Sequence, residues 1–168
     1  MRRLITILLG LSVAFIFGAG PAAAQAVNIQ RASVSGPNEQ GQLLFSFRIQ
    51  GLGQNEQVIV TATADATAVY GCRNPQSGTF PNAANKQTIS GPVSSTGTFT
   101  SGRSGGLQAS LLLSPPASTL QCPPGQVATL ISVTYTNLVL TVTQPSTGES
   151  DTVSIPGTFT RVFFPEAL

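Results

Sequence analysis

Apolar and polar residues alternate with a period of two along much of the chain. The clearest case sets Leu43, Phe45, Phe47 and Ile49 against Leu44, Ser46, Arg48 and Gln50, which predicts a strand with one face in a core. Residues 57–72 extend the pattern: Val58, Val60, Ala62 and Ala64 fall on one side, and Ile59, Thr61, Thr63 and Asp65 on the other. Gly51-Leu52-Gly53-Gln54-Asn55 separates the two stretches, so they are expected to pair as a hairpin. Ahead of them, residues 27–34 predict an edge strand stopped by Gly36-Pro37-Asn38. Beyond a loop rich in Pro, Asn and Gly, residues 88–101 and 107–114 flank Gly102-Arg103-Ser104-Gly105-Gly106 and predict a second hairpin. Its inward face is Leu107, Ala109, Leu111 and Leu113, with Leu112 opposite, and Pro115-Pro116 ends it because proline cannot donate to a ladder.

The last predicted hairpin changes phase. Ile131, Val133 and Tyr135 share one parity, but beyond Asn137 the apolar residues are Leu138, Leu140 and Val142. With Pro145-Ser146-Thr147-Gly148-Glu149 as the turn, Asn137 falls opposite Pro156-Gly157, so both strands break at one level. A bulge, or a corner where the pair passes between sheets, follows. The returning strand carries Phe159 and Phe163 on one face and Val162 and Phe164 on the other. About seven strands and no helical periodicity after the N-terminal segment predict an all-β fold. We read it as a single antiparallel β-sandwich of immunoglobulin-like or Greek-key type, with a small β-barrel as the alternative.

Composition adds compartment. Arg2 and Arg3 precede an apolar run over residues 4–18 and a small-residue stretch, Pro21-Ala22-Ala23-Ala24, the layout of a secretory signal peptide over 1–26, cleaved after Ala24 or Ala26. The run is shorter than the roughly 20 residues a spanning helix needs, so no membrane insertion is expected after cleavage. The remainder, 27–168, is read as one domain. Arg2 and Arg3 account for the formal excess of +2, so the mature chain is neutral. Arg31, Arg48, Arg73, Lys86, Arg103 and Arg161 are scattered along it, which argues against nucleic acid. Near-zero charge favours self-association. Two cysteines in an exported chain predict a Cys72–Cys122 disulfide that pins two loops, worth about 4 kcal/mol by loop-closure entropy; an unpaired couple is the other reading.

Catalytic motifs are weak. Gly102-Arg103-Ser104-Gly105-Gly106 matches G-x-S-x-G in form, yet it occupies a predicted turn in a chain without histidine. Gln144-Pro145-Ser146-Thr147-Gly148 resembles a sortase anchoring signal, but Gln144 stands where that signal has leucine and a strand follows it. Glu149 and Asp151 flank a turn, where solvation is expected over weak calcium contact. Tyr70 and Tyr135 are the only tyrosines and tryptophan is absent, so an aromatic sugar platform is not expected, and neither are metal sites or cofactors.

Gly51-Leu52-Gly53, the run VTATADATA, Cys72-Arg73-Asn74-Pro75, and Cys122-Pro123 ahead of Ile131-Ser132-Val133 together resemble a group of small secreted bacterial β proteins with two cysteines. That group carries no established activity; the resemblance implies export and the disulfide. The expectation is a non-catalytic protein, secreted or in the periplasm or cell envelope, with a surface binding or structural role toward an envelope or extracellular partner or itself. Two other readings are a carboxylate-dependent hydrolase and a protease inhibitor presenting residues 73–86. The candidate binding loop is Arg73, Asn74, Asn82, Asn85 and Lys86, on a backbone stiffened by Pro75 and Pro81.

Overall fold

The computed structural model describes residues 26–81 and 85–168; residues 1–25 of the predicted signal segment, and Asn82 of the candidate loop, lie outside them. Eight strands form: β1 (Asn28–Ser35), β2 (Leu43–Gln50), β3 (Gln57–Arg73), β4 (Lys86–Thr100), β5 (Leu107–Leu113), β6 (Val127–Gln144), β7 (Glu149–Ile155) and β8 (Phe159–Val162). They make two antiparallel sheets, β1-β2-β5 and β4-β3-β6-β7, with β8 beside β7 on β6. The result is an all-β sandwich, and the sheets do not close into a barrel.

Both predicted early hairpins are corrected. β2 pairs with β1 and β5, whereas β3 pairs with β4 and β6. Alternation fixes which side of a strand is apolar, but an inward face is equally satisfied by a neighbour in the same sheet or by a strand across the core. Here both connections cross the core, as the one from β5 to β6 also does. The two crossings lie together: Leu52 N donates to the Gly105 carbonyl at 3.1 Å, Ser101 Oγ to the Gly53 carbonyl at 2.6 Å, and Glu56 N to Ser101 Oγ at 2.9 Å. Gly105 has φ +71°, and a Cβ there would run into the Leu52 carbonyl oxygen, so only glycine fits.

The core is the set that the alternation selected. Leu43, Phe45, Phe47 and Ile49 of β2 face Val58, Val60, Ala62, Ala64, Ala66 and Ala68 of β3, with Val133, Tyr135, Leu138, Leu140 and Val142 of β6 beside them. The alanines of β3 leave room for aromatic groups, and Phe47 meets Phe99 edge to face at 5.5 Å. Tyr135 is fully buried, and its hydroxyl donates to the Gly41 carbonyl at 2.7 Å, so its polar tip is satisfied within the core. At one seam β1 runs near β7, and Ile29 N donates to Asp151 Oδ2 at 2.7 Å.

The phase change in β6 is a bulge. Thr63 pairs with Val139 and Asp65 with Thr136, so Asn137 and Leu138 stand against Ala64 alone. Asn137 takes φ +54°, which asparagine tolerates better than most residues, and donates to Asp65 Oδ2 at 2.8 Å. The returning strand breaks at the same level: Ile155 closes β7 opposite Leu138, and Phe159 opens β8 opposite Tyr135. The chain stays in one sheet, so the corner alternative does not occur, and the single returning strand expected from the sequence is two.

Candidate functional site

Cys72 and Cys122 are joined, with Cα atoms 5.5 Å apart and 50 residues between them in sequence. The bridge ties the end of β3 to the connection between β5 and β6, as expected. Among the described residues there is no free cysteine.

The candidate loop grows from that point, and the side chains of Arg73 and Asn74 bond within it. Arg73 Nε donates to the Gly78 carbonyl at 2.9 Å, and its guanidinium lies 4.7 Å from the centre of the Phe164 ring. Phe164 in turn meets Phe80 at 5.2 Å. Asn74 Oδ1 accepts from Gln76 N at 2.9 Å, which closes an Asx turn. Asn85 contributes its carbonyl to Cys72 N at 3.1 Å, and Lys86 sits opposite Gly71 in the ladder. Arg73 and Asn74 thus share one compact corner with the disulfide, and Asn85 and Lys86 join it through backbone.

The residues weighed for chemistry are dispersed. Ser104 lies in the turn closed by Gly102 N to the Gly106 carbonyl at 2.8 Å. Ser146 donates to Glu56 Oε2 at 3.0 Å, and Gln144 Nε2 donates to Ser146 at 3.1 Å, so both belong to the hairpin turn. Three carboxylates have structural partners: Glu56 takes Ser146, Asp65 takes Asn137, and Asp151 takes the amides of Ile29 and Thr152. Among the described residues no group of three metal-ligating side chains gathers. Tyr70 is half-buried and donates to the Pro116 carbonyl at 2.7 Å, and Tyr135 lies in the core.

What the sequence scattered, the register collects. On the outer face of the three-stranded sheet Arg31 lies directly opposite Arg48, which lies opposite Gln108. The next row is Ser33, Ser46 and Ser110, and the third is Ser35, Leu44 and Leu112. Arg31 through Ser35 pair in unbroken register with Arg48 through Leu44, and the extra residue of β1 lies before them, between Ile29 and Arg31. The six residues of the first two rows line an open depression of about 510 Å³. A neighbouring depression of about 520 Å³ shares Arg48 and Gln108 and continues past Gln50 to Ser104. Among the described residues, neither Arg31 nor Arg48 donates to the three partnered carboxylates, whose bonds go elsewhere. Like charges placed directly across two strands repel, so this row carries a cost that packing does not explain.

The outer face of the larger sheet is different. Thr96, Thr61, Thr141 and Thr152 form one row across four strands, joined pairwise by hydroxyl contacts of 3.1 Å at each end. Ser90, Thr67, Thr134 and Thr160 form another. These hydroxyls satisfy one another, as cross-strand threonine pairs commonly do. A scan against protein-family models finds no match, and neither a curated protein nor a solved structure matches the chain.

Proposed function

We propose that this chain is an exported, non-catalytic β-sandwich that acts by binding, in the cell envelope or outside the cell, through its outer surface. The observation that carries the reading is the row Arg31–Arg48–Gln108 above Ser33–Ser46–Ser110, an open polar depression in which two like charges stand opposed. A surface arrangement that costs the free protein stability is accounted for by a ligand that relieves it. Export is supported by the layout of residues 1–26 and by the disulfide, which suits an oxidising compartment. An immunoglobulin-like topology is supported by the partition of strands. First, second and fifth share one sheet, and third, sixth and seventh the other, as in that sandwich, with the fourth moved beside the third.

The disulfide-linked loop then serves chiefly to hold its end of the fold, since Arg73 and Asn74 spend their side chains internally. The test is sedimentation of the mature domain with washed envelopes of the producing cell, alongside screens of ester, glycoside and peptide substrates. Saturable co-sedimentation without turnover is expected. Turnover abolished by a carboxylate substitution, or sedimentation no greater than that of an inert protein of equal size, would overturn the reading.

A further inference from the structure

We infer that the outer face of β1, β2 and β5 is a platform for a carboxylated polysaccharide, a chain of uronate-type sugars; the inference rests on the binding role proposed above and names the ligand class. Four features point there. Arg31 and Arg48 are side by side on one row, and a guanidinium fork matches a carboxylate in a bidentate manner. A carboxylate between or above them removes the repulsion that the free protein carries. Beside the arginines run Gln108, Ser33, Ser46 and Ser110, short donors and acceptors on a rigid sheet suited to sugar hydroxyls. Leu112, 46% exposed, ends the face one row further on and offers an apolar contact for a ring.

The shape agrees with an extended chain rather than a compact anion. The two depressions share Arg48 and Gln108 and run together along the strands toward the turn containing Ser104, so the polar track is longer than one sugar. Two cations are too few to neutralise the row of phosphates that a nucleic acid presents. A protein partner would want aromatic anchors at its centre, and the outward residues of this face are serine, arginine, glutamine and leucine.

The experiment is isothermal titration of the mature domain with oligogalacturonate, with neutral dextran and polyphosphate as comparison ligands. Wild type should bind oligogalacturonate and ignore dextran, and binding should weaken as salt rises. Arg31→Gln and Arg48→Gln should each weaken binding about tenfold, and the double variant should abolish it, because each removes a charge-assisted pair. Arg48→Lys keeps the charge but loses the fork and should fall between. Thr61→Ala with Thr141→Ala, on the opposite sheet, should bind as wild type. The arginine variants should remain folded, since each removes a repulsion, and a circular dichroism melt confirms that lost binding is not lost structure. Unchanged affinity in the double variant, equal binding of dextran, no binding by wild type, or preference for polyphosphate would each overturn the inference. Envelope association that survives Arg31→Gln with Arg48→Gln would sink this ligand and site while leaving the general binding role standing.

Discussion

Replacing Tyr135 by Phe removes one oxygen from the centre of the protein. The ring stays, so packing is conserved; what goes is the hydroxyl that donates to the Gly41 carbonyl at 2.7 Å, at a residue with no exposed surface. The lost bond is worth about 1 kcal/mol net, and a buried carbonyl left without a donor costs about 1–3 kcal/mol. We expect a destabilisation of about 1–3 kcal/mol, read as a lower urea midpoint at unchanged m-value. The same hydroxyl sets an alkaline limit. Burial, and secondarily the neighbouring Tyr70, hold the Tyr135 pKa well above its ordinary value of 10.0. A raised folded-state pKa means that the native state keeps its proton where the unfolded chain loses it. That contribution is therefore complete below pH 10 and is lost as pH rises beyond, by up to about 1.4 kcal/mol per unit for this group. Wild type should lose stability above pH 10 more steeply than Tyr135→Phe, the remaining slope of the variant including Tyr70, which burial also raises. A variant within about 0.5 kcal/mol of wild type at neutral pH and parallel to it in alkali would show that the hydroxyl plays neither part.

Replacing Cys72 and Cys122 together by serine reopens a loop of 50 residues and should cost about 4 kcal/mol by chain entropy, seen as a fall in urea midpoint that reductant reproduces in wild type. Gly105→Ala meets both a positive φ and the Leu52 carbonyl, so it should destabilise by about 1–3 kcal/mol, whereas alanine at Gly125, with open space around it, should pay only for its positive φ. Arg31→Gln should raise stability by about 0.2–1 kcal/mol in low salt, and the gain should shrink at 1 M salt; a loss in low salt would contradict the opposed-charge account.

Much of the fold was legible because burial in a two-sheet protein is a parity rule. Val58 through Ala64, Leu43 through Ile49 and Leu107 through Leu113 point where alternation put them. The bulge was legible too, since Leu138 and Tyr135 can both be buried only if a residue between them is thrown out of the ladder. Strand partnership was not legible. Leu43 and Val58 lie on apolar faces of the same kind whether their strands adjoin or face each other, and the turn glycines fit a hairpin as well as a crossing. The arginine row was hidden for the same reason: Arg31 lies opposite Arg48 only because β1 pairs with β2 in that register, which alternation within either strand does not specify. In the disulfide loop the sequence displayed Arg73 as a donor, but not that Phe164, far along the chain, lies under its guanidinium.

If the protein binds through the outer face of its smaller sheet, a chemical-shift map of isotopically labelled residues 27–168 titrated with oligogalacturonate will locate the contact there. Shifts should concentrate at Arg31, Ser33, Ser46, Arg48, Gln108 and Ser110, with the threonine rows of the larger sheet unmoved. Shifts centred on the threonine rows or on the loop around Arg73, or no shifts at all, would contradict binding through that face.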